Sequence, residues 1–584
     1  MAEPVNSGAP QAPNEPGKKS ELSMETRLLL AFILMGAVLF LTPYFYKTVA
    51  PPAAKNSATT TATTAKNGTP SSAAPTGAAS PTPPPAPVIA PAANASATSQ
   101  QPLPPFVIET EYYKIAFSNQ GGPVRSWQLK KFTGNDGKAL DLVNTAAKVE
   151  APFSLHFPGQ KPAANVNWTY YSQKPDPDNL GVAYEYSDGH TLVRKTFRFV
   201  KNSYQSQVTT EVAIDGKPVP HLIEWRAGFG DLTVAAPAAN QRTVHFDVTG
   251  NKLAEEVVKA AKDGPVTFKG TFSFAGVADS YFAAVFLPQD PGPMETMVFA
   301  DNVPTPVEKE KPELMIGTGV GQGAVNRFSL FVGPKDLDIL RKVNPKLEQV
   351  VDFGWMAFLA KPLFLIVNWF NDGFVHNYGW SIVVVTIVIN FILFPLKLSN
   401  MKSMRKMQAL QPQIQSINDR YKNISIRDPK KAEQNQEVMD LYKKHGVNPM
   451  GGCVPMLLQI PFFFAFYKVF TVSVEMRGAS WLWVTDLSQP EHLAIKVLPL
   501  AMIASQFYMQ KMTPQANVDP NQQRMMMFMP LIFGFMFYNF PSGLVLYYLT
   551  SNLVSMGQQL FFNHTAAADQ AAASVQVKKK NGRK

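Results

Sequence analysis

The sequence predicts a multi-pass α-helical membrane protein that carries a large antiparallel β-sandwich domain outside the bilayer, and three observations predict it. From Phe353 onward the chain is a series of long apolar runs separated by short basic or proline-containing connections. From about Phe106 to Gly333 apolar and polar residues alternate with period two. Lys and Arg crowd one connection between apolar runs and nearly vanish from the next.

The 584 residues can hold several domains, and the near-neutral average hydropathy hides the contrast between a polar and an apolar half. Residues 1–26 are rich in Pro, Glu and Lys and read as a disordered N-terminus. The first apolar span, 27–47, contains the uncharged run Leu28 to Tyr46. It reads as an uncleaved anchor; a cleavable signal peptide is the rival, since Thr48-Val49-Ala50 loosely suits a peptidase, but the polar region before it is long and Pro51 follows the cut. Residues 48–104, almost all Ala, Pro, Thr and Ser, cannot build a core and form an extended linker.

Residues 105–334 make up the β-domain. EYYKIAFSNQGGPVRSWQL reads as strand, Gly121-Gly122 turn, strand. YQSQVTTEVAI puts Tyr204, Val208, Val212 and Ile214 on one face, and TLVRKTFRFV sets Phe197 and Phe199 opposite Arg194, Thr196 and Arg198. The domain has no cysteine, and at this size it needs no disulfide. Residues 335–377 follow as amphipathic segments, with Trp355, Lys361 and Trp369 patterned for a helix lying at the interface. Further spans are expected at 378–399, 447–472, 493–512, 525–540 and 542–562, giving six transmembrane helices in all. Only Phe540-Pro541-Ser542-Gly543 separates the last two, so they form a tight helical hairpin.

Charge sets the orientation. The stretch from Lys397 to Gly446 holds eleven Lys and Arg, whereas Ser473 to His492 holds Arg477 alone against Glu475, Asp486 and Glu491. The first is therefore cytoplasmic and the second external. Both termini then lie inside, including the basic tail 563–584, and the β-domain lies outside. Within the cytoplasmic segment 400–446, Met401, Met404, Met407, Leu410, Ile414 and Ile417 recur every three or four residues. They define an amphipathic helix, which a second helix from about Pro429 to Lys444 joins as an antiparallel hairpin. The plain alternative is a solvated basic loop.

The spans lack interior Asp or Glu, and the chain has no HExxH, GxSxG or Walker motif, so the parts for intramembrane proteolysis, metal hydrolysis or nucleotide-driven work are missing. No catalytic residue, metal or cofactor is expected. A transporter lacks the buried ionisable groups it would need, and a carbohydrate-binding role for the β-domain would rest on fold analogy alone. Cys453 is solitary and reads as a small packing residue.

YGWSIVVVTIVINFILFPLK, MQALQPQIQSI, VNPMGGCVPMLLQIPFFFAFY and FPSGLVLYYLTSNLVSMGQQ occur in that order, with GGPVRSW, FAGVADSYFAAVFLP and LFVGPK in the external domain. Together these resemble the YidC/Oxa/Alb family of bacterial membrane protein insertases, in the Gram-negative form with a large periplasmic domain. The resemblance implies a β-supersandwich in the periplasm and a chaperone without covalent chemistry. Such a protein inserts and folds inner-membrane proteins, alone or beside the Sec translocon (SecYEG, SecDF), through a polar groove open to the cytoplasm and to lipid. It also implies that the hairpin and basic tail meet the ribosome, nascent chains and targeting machinery, and that membrane lipids are partners.

Thr386, Asn390 and Lys397 stand at i, i+4 and i+11, within roughly a 40° arc of one helix face, interrupted by Leu393. An unpartnered amide in hydrocarbon costs several kcal/mol, so Asn390 requires a neighbouring helix or water. Most relatives carry arginine where this chain has Asn390. An amide cannot supply a fixed charge, and Lys397 is expected to supply part of it by snorkelling. Gln506, Gln510 and Tyr548 lie in or near spans, Thr386 and Tyr548 at positions the family uses in its groove or helix contacts; interhelical hydrogen bonding is the competing reading for these groups. Phe463, Phe464, Met529, Phe533 and Met536 are expected to form a pliable apolar slide for substrates, against ordinary packing and lipid contact.

Overall fold

The computed structural model describes residues 101–581 except 235, 307–309, 423–427, 429, 448–453 and 513–519, and gives backbone alone for 431, 454–458, 520–527 and 566–581. The first expected span, the linker up to residue 100 and Cys453 lie outside the described residues.

Nineteen strands run from Phe106 to Pro334. They form three sheets of four, ten and five strands, and every pairing between strands is antiparallel. The ten-stranded sheet runs from an edge at Lys252–Glu256 through Phe282–Pro288, Val325–Pro334, Gln205–Ile214 and Thr191–Phe199 to Ser172–Pro175. Aromatic rings join the sheets. Trp127 of the four-stranded sheet lies 6.2 Å from Trp225 of the five-stranded sheet and 5.8 Å from Phe199 of the ten-stranded one, and Phe153 touches Trp127, Phe197, Trp225 and Phe286. The Gly121-Gly122 turn has positive φ at both residues, 70° and 61°, which glycine adopts without a Cβ clash.

Alternation holds in the strands read from sequence: Val208 and Val212 point inward, as do Phe197 and Phe199. Lys195 is in phase with Phe197 and follows it inward, fully buried. Its Nζ donates to the carbonyls of Gly121 and Phe153, the latter at 3.0 Å. Burial pulls its pKa down to about 7, and a neutral amine still has the two hydrogens that these carbonyls require.

Helices follow the last strand. Helix α1, Leu337–Val343, is capped by the Asp336 carboxylate, which accepts from Asp338 and Ile339 N–H. Helix α2, Ala357–Phe370, buries Ala360, Leu363, Phe364 and Val367 and exposes Trp355, just before its start, together with Phe358 and Trp369. Between Gly354–Val375 and α3, Tyr378–Ile392, the path bends by 116°. The expected span 378–399 is interrupted: α3 ends at Ile392, with Leu393 as its C-cap, and α4, Phe394–Ala409, continues beyond it. Pro395 is the cause, because it has no N–H for the Phe391 carbonyl and its ring crowds that turn. The amphipathic run after Met401 is likewise two helices, with α5, Gln411–Arg420, restarting at Pro412 after a tight turn at Leu410.

The remaining helices are α6, Lys430–Lys444; α7, Val454–Val472; α8, Val497–Met512; α9, Pro520–Phe537; and α10, Ser542–Asn581. Helix α10 continues through most of the expected tail 563–584, and α8 and α9 are shifted a few residues from the expected bounds. Among the described residues no single helix is long and apolar enough to cross a membrane, while the bent pair of Gly354–Val375 with α3 passes the same criterion together.

The chain divides into two compact units. In one, Met407, Leu410, Ile414 and Ile417 are buried as the periodicity predicts, and α5 pairs with α6 through Asn418–Gln434 at 2.6 Å and Arg420–Glu437 at 2.7 Å. The other unit contains the β-domain and the apolar helices. Its loop between α7 and α8 is fastened to the β-domain by a buried Arg477–Asp231 ion pair, with the guanidinium over the rings of Tyr281 and Phe282.

Lys195 yields a pH test. Its pKa falls from 10.5 to about 7 on folding, so between these values the unfolded chain binds the extra proton and stability rises with pH. Lys195→Met should lower the melting temperature of the detergent-solubilised protein. It should also flatten the rise in stability between pH 7 and 10; an unchanged slope contradicts a neutral buried amine.

Candidate functional site

Three of the expected site residues meet in one polar cluster. Thr386 is fully buried, and its hydroxyl donates to the Ile382 carbonyl at 2.6 Å, one turn back along α3. Asn390 is 3 % exposed, and its Nδ2 donates to the Thr386 carbonyl at 2.8 Å. Lys397 reaches back along the kink, and its Nζ donates to Asn390 Oδ1 at 2.6 Å. The break at Pro395 leaves the helix axis continuous enough for this reach, since Leu393 N–H still bonds Ile389 and Lys397 N–H still bonds Leu393.

Helix α10 completes the cluster. Ser551 Oγ lies 3.4 Å from both amide atoms of Asn390, Ser555 Oγ accepts from Lys397 Nζ at 2.8 Å, and Gln558 Nε2 donates to the Asn390 carbonyl at 3.2 Å. Gln558 Oε1 is buried without a partner. These three residues stand at i, i+4 and i+7, one polar stripe along α10. The sequence reading missed them, although the spacing that marked Thr386 and Asn390 would have found them. The amide of Asn390 is thus met chiefly by protein groups, its own helix and a neighbouring one.

The other expected residues lie elsewhere. Gln506 Oε1 accepts from Asn552 Nδ2 at 3.1 Å and Ser505 Oγ from the same nitrogen at 3.0 Å, a separate bridge from α8 to the other flank of α10. Tyr548 belongs to an aromatic cluster, 4.7 Å from Phe537 and 5.8 Å from Phe463. Phe463 is buried there, and Phe464 faces away to Trp355 at 6.2 Å. Met529, Phe533 and Met536 are half-buried. The exposed apolar face of α9 carries Phe528, Leu531, Ile532 and Phe535 instead, which stand at i, i+3, i+4 and i+7 and so share one side of the helix.

Arg405, about two helical turns beyond Lys397, places its guanidinium 4.6 Å from the Phe562 ring and near Asn563. No carboxylate takes part in the bonds of Asn390 or Lys397 described above.

The described residues thus join a β-rich domain to apolar helices that bury a polar cluster. Two family models divide the chain accordingly: the YidC periplasmic domain over residues 106–366 and the 60Kd inner membrane protein over residues 369–569. The chain is 35 % identical over 488 residues to a membrane protein insertase YidC of Geotalea daltonii, covering 81 % of this chain and 89 % of that one. It is 34 % identical over 493 residues to the YidC of Geobacter sulfurreducens, covering 79 % and 87 %. A crystal structure of an active YidC insertase with its first transmembrane domain resolved aligns at 20 % identity and a TM-score of 0.34, over 78 % of this chain and 93 % of that one. The chain belongs to the YidC family of membrane protein insertases.

If the cluster is energetically coupled, Asn390→Leu, which leaves Lys397 and Ser551 each short of a partner, should destabilise the protein in detergent by about 1–3 kcal/mol. Lys397→Met should then cost less in the Asn390→Leu background than alone, by about 0.5–3 kcal/mol. Additive losses in a double-mutant cycle contradict the coupling.

Proposed function

We propose that this chain inserts and folds inner-membrane proteins through a polar groove at the cytoplasmic side of the bilayer, working alone or with the Sec translocon. The observation that carries this reading is the cluster of Asn390, Lys397, Ser551, Ser555 and Gln558 among apolar helices. Such a cluster lowers the desolvation cost of a polar segment on its way across, since donors and an unpaired acceptor replace water that hydrocarbon cannot provide. The positive charge in it is that of Lys397, oriented by Asn390 and Ser555. A lysine ammonium is a point charge without the bidentate fork of arginine, suited to attracting acidic tails without fixing their geometry.

In this proposal the chain spans the membrane six times with both termini in the cytoplasm. Support for the sidedness of the β-domain comes from Arg477 and Asp231, because a loop and a soluble domain can form a buried ion pair only on the same side of a bilayer. That agrees with the scarcity of cations between Ser473 and His492. The paired helices α5 and α6 and the basic C-terminal stretch serve as the landing region for ribosome and nascent chain. Phe463, Phe464, Met529, Phe533 and Met536 act with the exposed Phe528, Leu531, Ile532 and Phe535 as the apolar track along which a substrate helix leaves for lipid.

Two reporter proteins that differ only in an acidic or neutral translocated tail test the role of Lys397. Lys397→Gln should slow translocation of the acidic tail more than of the neutral one, and adding Asn390→Arg should rescue the acidic tail. Equal effects on both tails contradict a charge role for Lys397.

A further inference from the structure

The loop between α7 and α8 contains a two-residue turn whose apex is apolar. Trp481 and Val484 close it with a pair of main-chain hydrogen bonds, each 2.8 Å, leaving Leu482 and Trp483 at the tip. Leu482 has φ 50°, a left-handed conformation that glycine or asparagine adopts at little cost and a branched apolar residue does not. It is nevertheless 64 % exposed, with Trp483 beside it 43 % exposed. A strained, exposed leucine contributes nothing to the packing of this chain, so its benefit lies outside it.

The turn is pinned between the outer ends of two helices. Trp481 is buried on the N-terminal turn of α3, 5.5 Å from Trp380, where a Cβ on Gly379 would fall on its indole; Asn377 Nδ2 donates to the adjacent Ser480 carbonyl at 3.0 Å. On the other side the buried Glu491 carboxylate accepts from Trp483 Nε1 at 2.7 Å and from Leu498 N–H, in the first turn of α8, at 2.9 Å. The indole is thus held at the level of the start of α8.

Helix α8 begins at Val497, and the residues just before it include the exposed Leu493 and Ile495. Trp380, Leu482, Trp483, Leu493, Ile495 and Val497 make one exposed apolar girdle around the outer ends of α3 and α8.

Resting on the membrane sidedness proposed above, we infer that the Leu482-Trp483 turn is a preformed wedge that inserts into the interfacial region of the outer lipid leaflet. The occupant is lipid. Trp483 matches the interface in kind, with an apolar ring facing outward and its N–H already satisfied by Glu491. Leu482 supplies an aliphatic tip whose burial in acyl chain offsets the left-handed strain.

The test uses the full chain in phosphatidylcholine and phosphatidylglycerol vesicles. Leu482→Cys in a Cys453→Ser background carries an environment-sensitive NBD label, and Lys217→Cys, exposed in the β-domain, is the aqueous control. Nitroxides near the headgroup end of the acyl chain should quench the Leu482→Cys label several-fold more than they quench the control, and more than deep nitroxides do. Iodide on both sides should quench it several-fold less than the control. A Trp483→Cys label reports the same depth should the first label disturb the turn. Iodide quenching equal to the control at both sites, without nitroxide quenching, overturns the wedge and leaves the tip as a surface for a protein partner. Quenching of the 482 and 483 labels by nitroxides confined to the leaflet opposite the face on which the Lys217 control meets iodide would instead show the proposed sidedness to be wrong while the tip still enters lipid.

Discussion

The membrane half of this protein depends on a polar cluster that has to be satisfied where water is scarce. Asn390 lies in the apolar sequence of α3, and its amide is met by the Thr386 carbonyl, by Ser551 and by the Lys397 ammonium. Helix α10 is held beside α3 by these contacts, and α10 also bridges to α8 through Asn552 and packs on α7 through the stacked rings of Tyr547 and Phe466, 4.3 Å apart. The polar cluster and the helix arrangement are thus two aspects of one constraint: bonds that make the amide tolerable also fix the neighbour that supplies them. What remains unmatched there is Gln558 Oε1, whose amide nitrogen bonds the Asn390 carbonyl.

A second constraint ties the extramembrane domain to that arrangement. Arg477 leaves the α7–α8 loop to pair with Asp231, whose own N–H is held by Asp279 at 2.7 Å, while Asp279 also accepts from Tyr281 and Phe282. The same loop packs Trp481 on α3 and receives the start of α10, where Gly543 N–H bonds the Leu487 carbonyl at 2.9 Å. Ordering of the outer helix ends is therefore shared between the loop and a rigid β-domain, and the aromatic contacts among Trp127, Phe153 and Trp225 make that domain a firm support.

Much of this was legible in the sequence, for reasons that differ by region. The β-domain bounds and the inward faces of Gln205–Ile214 and Thr191–Phe199 follow from period-two alternation, which depends only on the pleat. The same rule places Lys195 inside, in phase with Phe197, whereas the neutralising effect of burial is a tertiary property. Helix breaks at Leu393 and Leu410 were written in Pro395 and Pro412 but concealed by hydrophobic periodicity that continues across them. In the candidate site, Thr386, Asn390 and Lys397 were found because they share a helix face. Ser551, Ser555 and Gln558 obey the same spacing but sit in a run whose apolar neighbours dominate, and their pairing with Asn390 spans more than 150 residues that no local pattern encodes.

The central claim is that this chain carries hydrophilic segments of other proteins across the inner membrane. Its most direct test is depletion of the chromosomal copy and replacement by this chain or an empty vector, followed by external protease digestion of a pulse-labelled membrane protein with a short periplasmic tail. The account predicts that the tail becomes protease-accessible when this chain is present and stays protected when it is absent. Equal accessibility of the tail under both conditions would contradict it.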